Sequence, residues 1–124
     1  MSKLSNKVAV ITGGNSGIGL AIAKEFTEQN ANVVIFGRNQ DTLDKAISEI
    51  SNGTLAVQGD VRNTQDLDKL FQLVKDKYGK IDTLVVNAGG AKMAPIEYVT
   101  EELFDEINDI NYKGAYFTVI DFVK

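Results

Sequence analysis

The sequence predicts an α/β fold: a doubly wound, parallel sheet of four strands in the order 3-2-1-4, with helices on both faces, ending after a fourth helical region. Three observations carry this. Short β-branched runs alternate with longer stretches whose apolar residues recur at helical spacing, the pattern of βαβ units. A glycine-rich segment, residues 12–19, joins the first run to the first helical stretch. The first and fourth runs are nearly continuous in Val, Ile and Leu, as strands covered on both faces are, which places those two at the centre of the sheet.

The first strand, residues 7–12, leads straight into Thr12-Gly13-Gly14-Asn15-Ser16-Gly17-Ile18-Gly19. A strand that turns sharply into a helix here needs Gly13 and Gly17 for backbone angles closed to other residues, and Gly19 for a helix lying close to the sheet. The first helical N–H groups are then free to meet an anion, so the loop is a candidate phosphate cradle and a dinucleotide the first candidate ligand. Ile18, Ala21, Ile22 and Phe26 form the stripe of the first helix. The second strand is read at 32–36, and the second helix from Leu43, Ala46, Ile47 and Ile50. Asn52-Gly53 marks the turn into the third strand at 54–58. Asn63, with Asp66 three residues on, resembles a capping box opening a third helix striped by Leu67, Leu70, Phe71 and Val74 and closed by Gly79. The fourth strand is read at 81–87. After Gly89-Gly90, a loop with the only proline, Pro95, reaches Thr100, read as the N-cap of a fourth helical region with Leu103, Ile107 and Ile110 on one side. Its acidic residues, Glu101, Glu102, Asp105, Glu106 and Asp109, read as a solvated face helped by the helix dipole. A metal site would want further ligands, and none is expected.

Length and composition narrow the function classes. With 124 residues there is room for one domain, able to bury roughly two-thirds of its unfolded surface. At 44% hydrophobic and 24% charged residues the chain has the make-up of a folded globular protein. A net charge of −4 with scattered basic residues argues against nucleic acid or an anionic membrane as partner. The absence of Cys and His removes disulfides, thiolate chemistry, imidazole acid/base work and the usual zinc sites. The N-terminal apolar run stops at Ile11, too short for a signal-peptide core or a membrane span, and a cytoplasmic location is expected.

Taken together, Thr-Gly-x-x-x-Gly-x-Gly at residues 12–19, Asp60-Val61 after the third strand, Asn87-Ala88-Gly89 after the fourth and Asn111 beyond resemble the short-chain dehydrogenase/reductase family, in order and spacing, over essentially the whole chain. The resemblance implies a Rossmann-like fold and an oxidoreductase that moves hydride between a nicotinamide dinucleotide and a small-molecule carbonyl or alcohol substrate. It further implies that Asp60 meets the adenine amino group, Val61 lines the adenine site, Asn87 braces the central strands with Thr12, and Ala88-Gly89 passes beside the nicotinamide ribose. Seen alone, Asp60 serves equally as a turn cap and Asn87-Ala88-Gly89 as an ordinary strand end.

The end of the second strand discriminates between dinucleotides, because an acidic residue there bonds the ribose 2′-OH of NAD and repels a 2′-phosphate. The residues are Phe36-Gly37-Arg38-Asn39. Gly37 offers no carboxylate, and Arg38 offers a permanently charged fork suited to phosphate, so NADP is expected over NAD. The other reading of Arg38 is a plain exposed arginine. Asn15, Ser16 and Asn39 supply neutral hydrogen bonds. Ser16 departs from the basic residue that many NADP-preferring relatives carry just before the second glycine.

In the family, hydride transfer relies on a Tyr with a Lys four residues later, an upstream Ser, and an Asn that organises a proton relay. The lysine lowers the phenol pKa from about 10 toward working pH. Asn111 is the candidate for the Asn, with a helix-kinking or capping role equally open. Four residues after Tyr78, Tyr98, Tyr112 and Tyr116 stand Asp82, Glu102, Tyr116 and Ile120, so no Tyr has the lysine. The chain is therefore read as the cofactor half of such an enzyme, catalytically incompetent alone and stopping at Lys124 inside an apolar helical run. An unpaired edge on the fourth strand and an uncovered helix face predict a homo-oligomer. Two further readings stay open: a non-catalytic NADP-binding or association module, and a folding fragment that binds nothing well. No residue identifies the substrate.

Overall fold

A computed structural model of the protein describes residues 4–50, 53–88 and 100–123. The elements run β1 (Val8–Thr12), α1 (Gly17–Glu28), β2 (Asn32–Gly37), α2 (Gln40–Glu49), β3 (Leu55–Gln58), α3 (Thr64–Tyr78), β4 (Thr83–Val86), α4 (Glu101–Asn108), a π-helical segment (Asp109–Gly114) and α5 (Ala115–Val123). All strand pairs are parallel, in the order β3-β2-β1-β4 predicted from the sequence. Register sets Thr12 beside Phe36 on one side and Val86 on the other, so the carboxyl ends of the strands share one edge. In open α/β sheets that edge is where ligands bind.

The apolar runs divide between two cores because successive strand residues face opposite sides. Val8, Val10, Val34 and Phe36 meet Leu67, Leu70, Phe71 and Val74 of α3 on one face. Ile11, Val33 and Ile35 meet Ala23 of α1, Leu43 and Ala46 of α2 and Ile50 just past its end on the other. The expectation that the first and fourth strands are central is half corrected. β1 and β2 are the inner strands, while β4 pairs only with β1 among the described residues and leaves Val86 39% exposed. Asp82, read as strand, precedes β4 and closes its entry: its Oδ2 accepts the Val8 N–H at 2.8 Å and its own N–H donates to the Val8 carbonyl at 2.8 Å. The first of these bonds holds the Asp82 carboxyl below its ordinary pKa, with Lys80 helping.

The stripe expected on α1 is half met: Ile22 and Phe26 pack against the second core, whereas Ile18 is 74% exposed and Ala21 is exposed. The buried residues of the helix are Gly19, Ala23 and Thr27. Small residues allow the helix to lie near the strands, and Thr27 hides its hydroxyl by donating to the Ala23 carbonyl at 2.8 Å. Asn63 caps α3 as expected, accepting from the Gln65 and Asp66 N–H groups at 2.9 and 3.3 Å. The reciprocal half of the capping box is absent there, because the Asp66 carboxylate instead accepts the Asp60 N–H at 3.0 Å. Gly79 closes α3, its N–H donating to the Lys75 carbonyl at 2.8 Å.

The fourth helical region consists of α4, the π segment and α5, with α5 packed against α3 and β4. Glu101, Glu102 and Asp105 are exposed, in keeping with a solvated face. Gly114 is buried beside Val61, and Thr118 donates to the Gly114 carbonyl at 2.7 Å. The stripe expected from Leu103, Ile107 and Ile110, the turn residue Asn52 and the loop with Gly89, Gly90 and Pro95 lie outside what is described. Among the described residues no helix is long and apolar enough to cross a membrane. Nor does any group of three acidic, Cys or His residues there stand ready for a metal ion.

Candidate functional site

The site begins with a hydroxyl at the end of β1. Thr12 is fully buried, and its Oγ1 accepts the N–H groups of Asn87 and Ala88, each at 3.1 Å. Asn87 in turn donates from Nδ2 to the Gly13 carbonyl at 3.2 Å, so the segment after β4 is tied to the start of the glycine loop. Gly13 has φ +71°, a left-handed conformation, and a Cβ there would lie 2.9 Å from Asn87 Nδ2 and 3.0 Å from Ala88 Cα. Its N–H donates to the Phe36 carbonyl at 2.7 Å, which ties the loop to β2. Gly19 sits behind the loop, where a Cβ would collide with the Gly13 carbonyl oxygen.

These ties shape an open cleft of about 260 Å³ at the carboxyl edge of the sheet. Gly13, Asn15 and Ser16 wall it from the β1–α1 loop, and Phe36, Gly37, Arg38 and Asn39 from the end of β2. Gly59, Asp60 and Val61 close it after β3, and Asn87 and Ala88 after β4. Nine residues singled out from the sequence thus come together: Gly13, Asn15, Ser16, Arg38, Asn39, Asp60, Val61, Asn87 and Ala88. Gly17 and Ile18 are exposed and are not among the walls, and Gly19 acts only through close approach. Gly89 lies outside the described residues. Asn111 is exposed on the π segment and is likewise not among the walls.

Two of these side chains also make bonds of their own, and for Asp60 these include the turn cap read from the sequence. Asn39 caps α2, its Oδ1 accepting from the Asp41 and Thr42 N–H groups at 2.8 and 3.2 Å. Asp60 is gripped by Arg62, whose Nη2 donates to Oδ2 at 2.6 Å and whose Nε lies 3.0 Å from both carboxylate oxygens. The Arg62 backbone N–H adds a bond to Oδ1 at 2.9 Å. The Arg62 side chain, against the opposing effect of burial, holds the Asp60 carboxyl below its ordinary pKa, and the charge on Arg38 assists. Asp60 is thereby kept an anionic acceptor. Gly59 and Arg62 are the site residues that sequence reasoning missed. The only signal for Gly59 is its place before Asp60, where a Cβ would lie 2.5 Å from the Phe36 ring.

The depressed Asp60 pKa has a testable sign. Its contribution to stability is complete above the ordinary value of 3.8 and is lost as pH falls through the lower folded value. The Asp60 and Arg62 side chains are 25% and 34% exposed, so the contribution is held below about 1 kcal/mol. Urea midpoints of the wild type and Asp60→Asn are expected to differ by a constant amount from neutrality to about pH 4 and to converge below it. A gap that widens in acid contradicts the pairing.

The geometry offers a cation for anionic groups and an ionised acceptor for a donor group, both on one rim. Comparison with known proteins accords with this. A family model described as short chain dehydrogenase matches residues 7–124. The oxidoreductase asL5 of Sarocladium schorii is 43% identical over 119 residues, an overlap of 96% of this chain and 48% of that protein. An NADP-dependent (R)-specific alcohol dehydrogenase of Lentilactobacillus kefiri is 38% identical over 117 residues, covering 93% of this chain and 46% of its own. Among solved structures, a 3-ketoacyl-(acyl-carrier-protein) reductase from Brucella melitensis complexed with NADH superposes with a TM-score of 0.90 at 35% identity, covering 98% of this chain and 50% of that one. The chain spans about half the length of the curated relatives it matches.

Proposed function

Because the chain belongs to the short-chain dehydrogenase family, we propose that its cleft binds NADP(H), as the cofactor half of an oxidoreductase acting on a small carbonyl or alcohol. The observation that carries this is the rim of the cleft, where Gly37 ends β2 without a carboxylate and Arg38 follows it. In this reading Gly13, Asn15, Ser16, Gly17, Ile18 and Gly19 form the pyrophosphate loop, and Arg38 with Asn39 takes the phosphorylated ribose. Asp60 and Val61 take the adenine, and Asn87, Ala88 and Gly89 the nicotinamide ribose. The fit is supported by the backbone at Gly13, which has no room for a Cβ. A nicotinamide held there would supply hydride-transfer chemistry, and Asn111 would belong to the proton relay. A π segment is a frequent setting for functional residues, which favours that role for Asn111.

The relative from Lentilactobacillus kefiri, named as NADP-dependent, supports the preference, and the Brucella melitensis reductase complexed with NADH is its counterweight. A homo-oligomer in the cytoplasm completes the proposal. A second reading is a non-catalytic NADP-binding or association module. Saturable NADPH binding without turnover is its signature.

Fluorescence titration tests the cofactor reading. NADPH is expected to bind about tenfold or more tighter than NADH, the effect of a charge-assisted hydrogen bond. The double variant Gly37→Asp with Arg38→Ala is expected to shift binding toward NADH. Equal NADPH affinity in that variant and the parent removes Arg38 from the site.

A further inference from the structure

We propose that Asn15 and Thr42 form a strap across Gly37 that helps decide which ribose the cleft accepts, a role that rests on the dinucleotide reading above. Asn15 Nδ2 donates to Thr42 Oγ1 at 2.6 Å, and Thr42 Oγ1 lies 3.0 Å from the Asn39 carbonyl. That carbonyl can only accept, so the Thr42 hydroxyl proton is committed to it and the Asn15 amide must present its nitrogen to α2. The polarity of the chain of bonds is therefore set from end to end. It bridges the glycine loop and α2 across the end of β2.

Beneath the strap lies Gly37, which is buried. A Cβ at this position would stand 2.9 Å from both Asn15 Cγ and Oδ1 and 3.0 Å from Nδ2, so the flat face of the amide fills the space a side chain would need. The carboxylate that would receive an unphosphorylated ribose hydroxyl at residue 37 and the Asn15–Thr42 bond exclude each other. Arg38 stands on the turn so held: the Asn39 carbonyl takes the Thr42 hydroxyl, the Asn39 side chain caps α2, and the Arg38 carbonyl accepts from Gln58 Nε2 at 3.2 Å. Selection at the rim is in this way steric as well as electrostatic. Thr42 does not wall the cleft and acts as a positioning residue.

NADPH and NADH titrations of the full chain, in a cycle of Gly37→Asp against Asn15→Ala and Thr42→Val, test the strap. Thr42→Val is expected to weaken NADPH binding roughly three- to tenfold, the effect of one hydrogen bond, with NADH within about twofold and Thr42→Ser restoring the wild-type ratio. Gly37→Asp is expected to gain at least about threefold more NADH affinity when Asn15 is alanine than when it is present. Gains that simply multiply, or an equal loss for both dinucleotides, overturn the proposal. A wild type that binds both dinucleotides equally overturns the cofactor preference instead, and melting temperatures then decide on the strap alone. Gly37→Ala is expected to lower Tm by more with Asn15 present than with Asn15→Ala. Equal losses in both backgrounds overturn the strap whatever the cofactor.

Discussion

Replacing Gly19 with alanine is expected to remove most dinucleotide affinity and to cost about 2 kcal/mol of stability. In an exposed helix this change would be favourable by about 1 kcal/mol, because alanine restricts the unfolded chain. Here the added methyl would collide with the Gly13 carbonyl and lie 2.5 Å from Asn87 Nδ2, the acceptor and donor of one hydrogen bond. Backbone on one side and a tethered amide on the other leave no flexible group to give way, so α1 must lift from the sheet. Overpacking of this kind costs up to about 3 kcal/mol, which outweighs the propensity gain. Gly17→Ala is the control: Gly17 has φ +57° but no atom within 4 Å of its would-be Cβ, so it meets only backbone strain, about 1 kcal/mol. Urea midpoints and NADPH titration of both variants check this. If Gly19→Ala binds NADPH as the parent does, the close approach of α1 does not shape the cleft.

The second large effect is expected from Thr12→Val, which keeps shape and removes one oxygen. That oxygen is the acceptor for two backbone N–H groups, Asn87 and Ala88, and the residue that carries it is wholly buried. A buried donor without a partner costs about 1–3 kcal/mol. Asn87 and Ala88 are only half-buried, so water can reach them in part and the expected loss is about 2–3 kcal/mol for the pair. NADPH affinity is expected to fall with stability, because the same segment walls the cleft. Thr12→Ser should recover most of both. Chemical unfolding with parallel titration measures it, and a Val variant as stable as the parent would show that the N–H groups find other acceptors.

Much of the sheet was legible because its signals are local. Strand type and the glycine turn follow from runs such as Val8-Ala9-Val10-Ile11 and from the spacing of Leu67, Leu70, Phe71 and Val74. The errors lie where a residue's setting is decided by something distant. Ile18 fits a helical stripe by spacing, yet Gly19, one position on, faces the sheet because Gly13 and Asn87 come close to it. β4 has the composition of a covered strand, and composition cannot say how many neighbours a strand has. Most of the cleft walls were nameable from motif order. Arg62 on Asp60 and Asn15 on Thr42 were not, since a side-chain pair leaves no periodic mark in the sequence. The π segment was foreshadowed only by the helix-kinking reading of Asn111, because most of its residues carry ordinary helical propensities.

That segment also sets a constraint of a different kind, on length rather than on residue type. A π turn holds an additional residue within an otherwise α-helical path. Deleting one residue between Asp109 and Gly114 lets the backbone relax to α geometry, and because a π turn and an α turn each close one revolution, everything downstream keeps its face. Gly114 would stay beside Val61, and α5 would offer the same side to α3 and β4. A second deletion has no such slack to draw on and turns the last helix by about 100°. An alignment gap of one residue placed in this stretch is therefore a change of length that the architecture absorbs.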